Sequence, residues 1–320
     1  MKYLFYSAII AIFLIISPVY AETSVQKLNL ILDWFVNPDH APLFVAQEQG
    51  YFKEQGLEVH LISPADSNDP PKLLAAGQGD IIITYQPELI QQVEQGLGLM
   101  SIGSLIDKPM NCLMALNQGH IKTPADLKNK KIGTPSSGIL IPMLQILLQR
   151  YGLTLQDVEI VNVRSNLVQP LLAGKIDAVT GVMRNIEAVQ VEQEGYKPLL
   201  FLPEKNGVPT YSELIYAVRK SSLKDPALHQ AYHHFLTALE KATAYLKKHP
   251  EECWLAFAHH YPALNNSFNH RAWYATLGYF SNHPQHFSSQ EWRAFIAFMR
   301  QNKLIQSKRD LSEYYIELSA

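Results

Sequence analysis

The sequence predicts an α/β protein of two lobes: a clamshell with mixed, mostly parallel sheets and a helical C-terminal segment. Three observations predict it. Strand-like and helix-like runs alternate over the first two thirds of the chain, the pattern of a sheet covered on both faces. One unit occurs twice in near copy, as Lys72-Leu73-Leu74-Ala75-Ala76-Gly77-Gln78-Gly79-Asp80-Ile81 and as Val168-Gln169-Pro170-Leu171-Leu172-Ala173-Gly174-Lys175-Ile176-Asp177-Ala178. Each copy reads as an apolar helix closed by a left-handed Gly cap, a turn ending in Asp, and a strand. From residue 225 onward the apolar spacing is helical.

The elements follow in order. The first lobe reads as strand 28–32, helix 41–50 with Gly50-Tyr51-Phe52 as its stop, strand 57–62, helix 70–77, strand 80–84 and helix 87–96. Strands 100–106 and 112–116 come next, the second leading out of the lobe. The second lobe opens at Thr123-Pro124-Ala125-Asp126-Leu127 and continues as strand 131–133, loop 134–138, helix 139–151, strand 158–163, helix 167–174, strand 178–182, helix 185–194 and strand 199–202. A Pro/Gly/Asn-rich stretch, 203–209, leads to strand 213–219, which returns the chain to the first lobe. Helices 225–249, 251–260, 271–281 and 289–302 complete it. Lobe 1 is therefore expected over 22–118 plus 212–320 and lobe 2 over 119–211, with the ligand between the carboxyl ends of both sheets.

The N-terminus has the form of an export signal. Lys2 supplies the charged region, residues 3–16 the apolar region, and Val19-Tyr20-Ala21 the small-residue cleavage site, so the mature chain is expected to begin at Glu22 in the periplasm. The apolar run is shorter than the ~20 residues a spanning helix needs, so no membrane insertion is expected. The cleavage point lacks the cysteine of a lipoprotein. Cys112 and Cys253, the two cysteines of the chain, read as buried thiols and exclude a disulfide framework or cysteine metal site. The formal net charge of −2 becomes −3 without Lys2, which gives no electrostatic footprint for nucleic acid. A small molecule, bound by a monomer without a cofactor or metal, is the expected partner.

The most informative stretch is 32–43, where a strand ends in a cluster of polar and aromatic side chains just before a helix begins. Asp33, Trp34, Asn37 and His40 share this turn at the carboxyl end of a strand, where an α/β lobe holds its ligand. The plain alternative is a βα loop with a core Trp and an Asn-Pro-Asp turn. In the loop 134–138, Ser136, Ser137 and Gly138 precede a helix and present backbone N–H groups suited to a ligand oxygen, although Ser is also an ordinary N-cap. The pairs His233-His234 and His259-His260 are adjacent on helices, so their side chains diverge and they read as surface residues. Trp254, Trp273 and Trp292 read as packing of the C-terminal helices on lobe 1.

The chain resembles the periplasmic substrate-binding proteins of ABC importers, of the type II clamshell form. Within them it is most similar to the thiamin-pyrimidine-precursor branch, which is related to the fungal hydroxymethylpyrimidine phosphate synthases. The resemblance covers essentially the whole mature chain. It is carried by Leu32-Asp33-Trp34 with His40-Ala41-Pro42-Leu43, Gln47-Glu48-Gln49-Gly50-Tyr51-Phe52, the repeated helix–Gly–turn–Asp unit, Lys130-Lys131-Ile132-Gly133, Asn185-Ile186-Glu187 and Pro209-Thr210-Tyr211-Ser212-Glu213-Leu214. It implies capture of an aminopyrimidine, of hydroxymethyl or formylamino type, and delivery to the membrane subunits of an ABC importer. Such a ring presents an exocyclic amino group beside ring nitrogens, so a carboxylate or carboxamide can pair with its edge while an aromatic ring covers its face. Trp34 and Tyr85 are the stacking candidates. Asp33, Asn185 and Glu187 are the edge-pairing candidates, with His40 beside the cleft. Tyr211 and Glu213, at the second crossing, are candidates to close over the ligand.

The rival implied by the same resemblance is the synthase, which consumes its own histidine and a lysine-bound pyridoxal phosphate. Here the lysine position falls on Thr84 and the histidine position on Glu88, and the cysteine-rich run is replaced by Gly207-Val208-Pro209-Thr210-Tyr211. A binder, and not an enzyme, is the expectation. An importer protein for a sulfonate or another heteroaromatic amine is the less specific alternative.

Overall fold

The computed structural model describes residues 25–135 and 138–319. Residues 1–21, expected from the sequence to be an export signal, and Ser136 and Ser137 lie outside the described residues.

The first lobe starts with β1 (Gln26–Ile31), α1 (Ala41–Glu48), α2 (Tyr51–Glu54), β2 (Leu57–Ile62), α3 (Pro70–Ala75), β3 (Ile81–Thr84), α4 (Gln86–Glu94) and β4 (Leu99–Ile106). The second holds β5 (Asn111–Leu116), β6 (Lys131–Thr134), α5 (Leu140–Arg150), β7 (Glu159–Asn162), α6 (Gln169–Leu172), β8 (Ala178–Met183), α7 (Glu187–Gln193) and β9 (Pro198–Phe201). Strand β10 (Leu214–Arg219) and helices α8 (Pro226–Lys248), α9 (Pro250–His260), α10 (Ser267–Thr276) and α11 (Ser289–Gln301) follow. The strands form two five-stranded sheets, ordered β2-β1-β3-β10-β4 and β7-β6-β8-β5-β9. In each, the three strands joined by helical crossovers are parallel, and one strand runs antiparallel to its neighbours: β10 against β3 and β4, β5 against β8 and β9.

The pairing of β5 corrects the expected boundary. This strand lies inside the second sheet, so the first crossing spans 107–110 and lobe 1 does not extend to 118. An apolar strand carries no mark of which sheet it will join; only its partners decide. Two local readings also shift. Gly50, at φ +75°, ends α1 but α2 restarts at once, and α10 begins at Ser267 because the Asn266 side chain accepts the Asn269 N–H as its N-cap.

The repeated unit is the same structure twice. Gly77 and Gly174 both adopt left-handed backbone, at φ +79° and +65°. Each ends its helix in paired bonds: Gly77 N–H to Leu74 O and Gln78 N–H to Leu73 O at 3.0 and 2.9 Å, Gly174 N–H to Leu171 O and Lys175 N–H to Pro170 O at 3.1 and 2.9 Å. The aspartate that follows grips the neighbouring parallel strand by its edge. Asp80 Oδ2 accepts from Asn29 N–H at 2.8 Å while Asp80 N–H donates to Asn29 O, and Asp177 makes the same pair of bonds with Lys131.

The core follows the pleat. Leu28, Leu30 and Leu32 face α8 and α9, where Trp254 and Trp273 pack, while Ile31 and Ile82 face the other layer with Trp292 of α11. Each such side chain taken fully from water contributes roughly 1.5–3 kcal/mol. Both thiols are free and buried, Cys112 in β5 and Cys253 in α9. Where the chain passes between the sheets, Glu213 Oε2 accepts the Met110 and Asn111 N–H groups at 2.6 and 2.8 Å. Arg184 pairs with Glu204 at 2.7 Å and donates to the Met110 and Asn111 carbonyls at 3.2 and 3.3 Å.

Gly77 and Gly174 have no atom within 4 Å of an added Cβ, so substitution there meets backbone strain alone. Gly77→Ala and Gly174→Ala should each lower urea-unfolding stability by about 1–2 kcal/mol, the cost of left-handed backbone for an L-residue. The corresponding Asn variants should lose less. Wild-type stability for both Ala variants would contradict the capping role.

Candidate ligand cleft

The carboxyl ends of β1, β3, β6 and β8 meet around a cavity of about 630 Å³, lined from both lobes. Its lobe 1 wall carries Asp33, Trp34, Asn37, Tyr85 and Glu88, its lobe 2 wall Met183, Ile186 and Glu187, and its back Tyr211 and Glu213 from the second crossing. Leu140, Met143 and Leu144 of α5 make an apolar side. Parallel strands deliver these residues because each leads into its helix through a loop at the same end of the sheet.

Asp33 organises the lobe 1 wall. Its Oδ1 lies 3.0 Å from His40 Nε2 and its Oδ2 accepts the Tyr85 hydroxyl at 2.9 Å. His40 Nδ1 in turn accepts the Asn37 N–H at 3.3 Å, so the tautomer that satisfies both contacts carries its proton on Nε2. Asn37 caps the short turn that follows: its Oδ1 accepts the Asp39 N–H at 2.8 Å and its Nδ2 donates to Phe35 O at 3.0 Å. The turn thus aims Trp34, half-buried on the wall, and the neighbouring Phe35, 59% exposed, whose rings meet edge to face at 5.9 Å.

Four carboxyls of the site are held up by burial. Glu187 and Glu88 are each pushed to about 7, Glu88 further by the charges of Asp33 and Glu213. Glu213 and Asp39 reach about 6 in spite of the bonds they accept. Glu187 Oε2 accepts the Met183 N–H at 2.7 Å, and the carboxyl also takes its own backbone N–H, which fixes the side chain at the start of α7. Burial also lifts the Tyr85 hydroxyl well above its usual range, as it does Tyr211, which is hydrogen-bonded to Glu213. The Cys112 thiol on the cavity wall rises to about 12 and is inert as a nucleophile.

Comparison with known proteins agrees with this architecture. Residues 37–253 match the family described as NMT1/THI5 like. The chain belongs to that family. It is 43% identical to a Haemophilus influenzae protein named for thiamine biosynthesis, over 92% of each chain. It is 29% identical to the formylaminopyrimidine-binding protein of Halalkalibacterium halodurans, over 72% of this chain and 69% of that one. It is also 29% identical to a 4-amino-5-hydroxymethyl-2-methylpyrimidine phosphate synthase of Saccharomyces cerevisiae, over 81% and 78%. Among solved structures, the alkanesulfonate-binding protein SsuA of Xanthomonas axonopodis pv. citri, bound to MOPS, superposes with a TM-score of 0.69 at 16% identity, over 91% of this chain and 99% of that one. The fold is that of the periplasmic binding proteins.

The structure sorts the sequence-predicted site residues. Asp33, Trp34, Asn37, Tyr85, Glu187, Tyr211 and Glu213 line the cavity. His40 does not; it stands behind Asp33, 2% exposed, as the residue that orients it. Asn185 is also turned away from the cavity. Its Nδ2 donates to Asp39 Oδ1 at 2.6 Å and to Thr276 Oγ1 at 2.7 Å, a buried tie between lobe 2, lobe 1 and α10. Glu213 and Tyr211 are built into the back of the cleft instead of closing over it, because the crossings need the Glu213 acceptor. Gly138 is exposed and outside the lining, while Ser136 and Ser137 lie outside the described residues. Sequence reasoning missed Asp39 and Phe35, which sit in the turn it singled out, and treated Glu88 only as a departure from the synthases.

The raised carboxyls fix a pH dependence. An acid whose folded pKa exceeds its unfolded one stabilises the fold fully below the unfolded value and loses that contribution as pH rises through the folded value. That window runs from 4.5 to about 7 for Glu187 and Glu88, from 4.5 to about 6 for Glu213 and from 3.8 to about 6 for Asp39. The lowered carboxyls, such as Asp126 and Glu94, act below the ordinary carboxylate range and do not oppose it there. The unliganded protein should therefore melt at a higher temperature at pH 5 than at pH 8, with Glu88→Gln and Glu187→Gln each flattening the difference. A melting temperature that rises from pH 5 to 8 would contradict the burial of these groups.

Proposed function

We propose that this protein is a periplasmic solute-binding protein that captures a thiamin-related aminopyrimidine, of hydroxymethyl or formylamino type, and hands it to an ABC importer. The observation that carries the reading is Glu187: a carboxyl in lobe 2, raised to about 7 by burial, that lines a cavity whose opposite wall carries Trp34. A carboxyl close to half-protonated at neutral pH is a matched partner for an aminopyrimidine edge. It accepts from the exocyclic amino group and shares one proton with the adjacent ring nitrogen. The ring face then lies against Trp34, with the Tyr85 hydroxyl held away on Asp33.

The names of the relatives support the same ligand class. The formylaminopyrimidine-binding protein is a binder, and the yeast synthases carry 4-amino-5-hydroxymethyl-2-methylpyrimidine phosphate in their name. The synthase reading loses support at Thr84, a buried strand residue where the lysine is expected, and at Glu88 where the histidine is expected. A sulfonate fits poorly, because carboxyls from both lobes surround the space it would occupy. The charged and apolar regions of 1–21 support export, and the periplasmic-binding-protein fold supports delivery to an importer.

Calorimetry with formylaminopyrimidine and hydroxymethylpyrimidine tests the reading. Trp34→Ala and Glu187→Ala should each weaken binding tenfold or more, which is about 1.4 kcal/mol or above. Glu187→Gln keeps an acceptor for Met183 N–H and an amide that can pair with the ring edge, so it should lose less than Glu187→Ala. Glu251, bonded to His270 and Tyr274 outside the cavity, is the control. Absence of binding by the wild-type protein, or wild-type affinity in both alanine variants, would sink the proposed pocket.

A further inference from the structure

The carboxyls of the cleft differ in how many protein donors they meet. Both oxygens of Asp33 are taken, by His40 and Tyr85. Glu213 accepts two backbone N–H groups and the Tyr211 hydroxyl, and Glu187 accepts the backbone N–H of Met183 and its own. Glu88 has no hydrogen-bond donor among the described residues, yet it lines the cavity on the lobe opposite Glu187. It stands in the first turn of α4, the end where free backbone N–H groups and the helix dipole would otherwise favour a ligand phosphate. A carboxylate there fills that role itself and repels a second anion. Of the other helix starts on the cleft wall, that of α7 presents Ile186 and Glu187 and that of α5, among the described residues, Ile139 and Leu140; no lysine lines the cavity among the described residues. Arg164, exposed on the far rim, is its one lining cation there.

Building on the function proposed above, we propose that Glu88 is a second recognition carboxylate, which reads the side arm of the bound aminopyrimidine and selects an ammonium-bearing arm over an uncharged or phosphorylated one. With the ring edge on Glu187 in lobe 2, the arm meets the opposite lobe, where Glu88 is the acceptor still without a partner. An ammonium group donates up to three hydrogen bonds and neutralises the carboxylate in a buried setting, an alcohol donates one, and a phosphate adds charge of the same sign.

Protonation makes the selection measurable. The groups that act on Glu88 are Asp33 from the end of β1, Tyr85 at the end of β3 and Glu213 from the second crossing; Glu187 of the opposite lobe and Arg164 line the same cavity. Burial and then Asp33 and Glu213 push its carboxyl to about 7. Pairing with an ammonium requires the ionised form, so binding of such a ligand at pH 7 releases a proton that binding of the alcohol does not. Between pH 6 and 8 the preference for the amine over the alcohol should rise about tenfold, as one carboxyl passes from mostly protonated to mostly ionised. Because both ligands share the ring edge, the ratio cancels the titration of Glu187.

The test is calorimetry with 4-amino-5-aminomethyl-2-methylpyrimidine, the corresponding 5-hydroxymethyl alcohol and its phosphate ester, in buffers of different ionisation heat. The wild-type protein should bind the amine at least tenfold tighter than the phosphate ester and release about half a proton with the amine at pH 7. Glu88→Gln should bring the amine-to-alcohol ratio to within threefold of unity and abolish the proton release specific to the amine. A phosphate ester bound as tightly as the amine, or a ratio and proton release unchanged in Glu88→Gln, overturns the assignment of Glu88 while leaving the pyrimidine reading intact. Should Glu88→Gln fail to fold, the wild-type ratio between pH 6 and 8 decides, and a flat profile overturns the proposal. If none of the three ligands binds while formylaminopyrimidine does, the assignment of Glu88 falls and the pyrimidine reading stands; if formylaminopyrimidine fails as well, both fall.

Discussion

Glu213 is buried where the two interlobe crossings meet, and its carboxylate holds the Met110 and Asn111 N–H groups of one crossing from the end of the other. Each lobe completes its own sheet with a strand that has just left the other: β5 enters the second sheet directly after Asn111, and β10 enters the first directly after Glu213. The staple therefore sets where both antiparallel strands begin, and with them the separation of the two cleft walls. Arg184 reinforces it from lobe 2, pairing with Glu204 and donating to the same two residues whose N–H groups Glu213 accepts. Removing either partner would leave buried groups of the other unsatisfied, at roughly 1–3 kcal/mol each.

The cleft inherits an electrostatic strain from that arrangement. Glu88 feels the charges of Glu213 and Asp33, and burial raises four of the cleft carboxyls, Asp39, Glu88, Glu187 and Glu213, to about 6 or 7. Such a site is poised for a ligand that brings hydrogen-bond donors or positive charge, because only a ligand of that kind relieves the cost of keeping the groups together. The same fold occurs in an alkanesulfonate-binding protein of 16% identity, so the scaffold positions a cleft and the side chains on its loops choose what enters.

A third tie joins the lobes away from the crossings. Asn185 reaches from lobe 2 into the turn before α1 and to Thr276 of α10, and Arg271 of α10 pairs with Glu192 of α7 at 2.7 Å. The helical C-terminal segment thus does more than cover the first sheet; α10 also braces the second lobe from outside the cleft.

Much of this was legible in the sequence, for a physical reason. The period of the apolar residues fixes helices and strands locally, and the two Gly-capped units announce duplicated lobes because a left-handed cap and an edge-gripping Asp are short-range devices. The turn 33–40 was legible as a site because strand, polar cluster and helix succeed one another within a few residues. What the sequence left open is everything settled by partners distant along the chain. The sheet that β5 joins, the capture of Asn185 by Asp39 and Thr276, and the convergence of Glu88, Glu187 and Glu213 on one space depend on contacts between residues many tens of positions apart. Those contacts exist only once burial has removed water as the alternative partner, so only the tertiary structure decides which polar side chains serve the fold and which remain for a ligand.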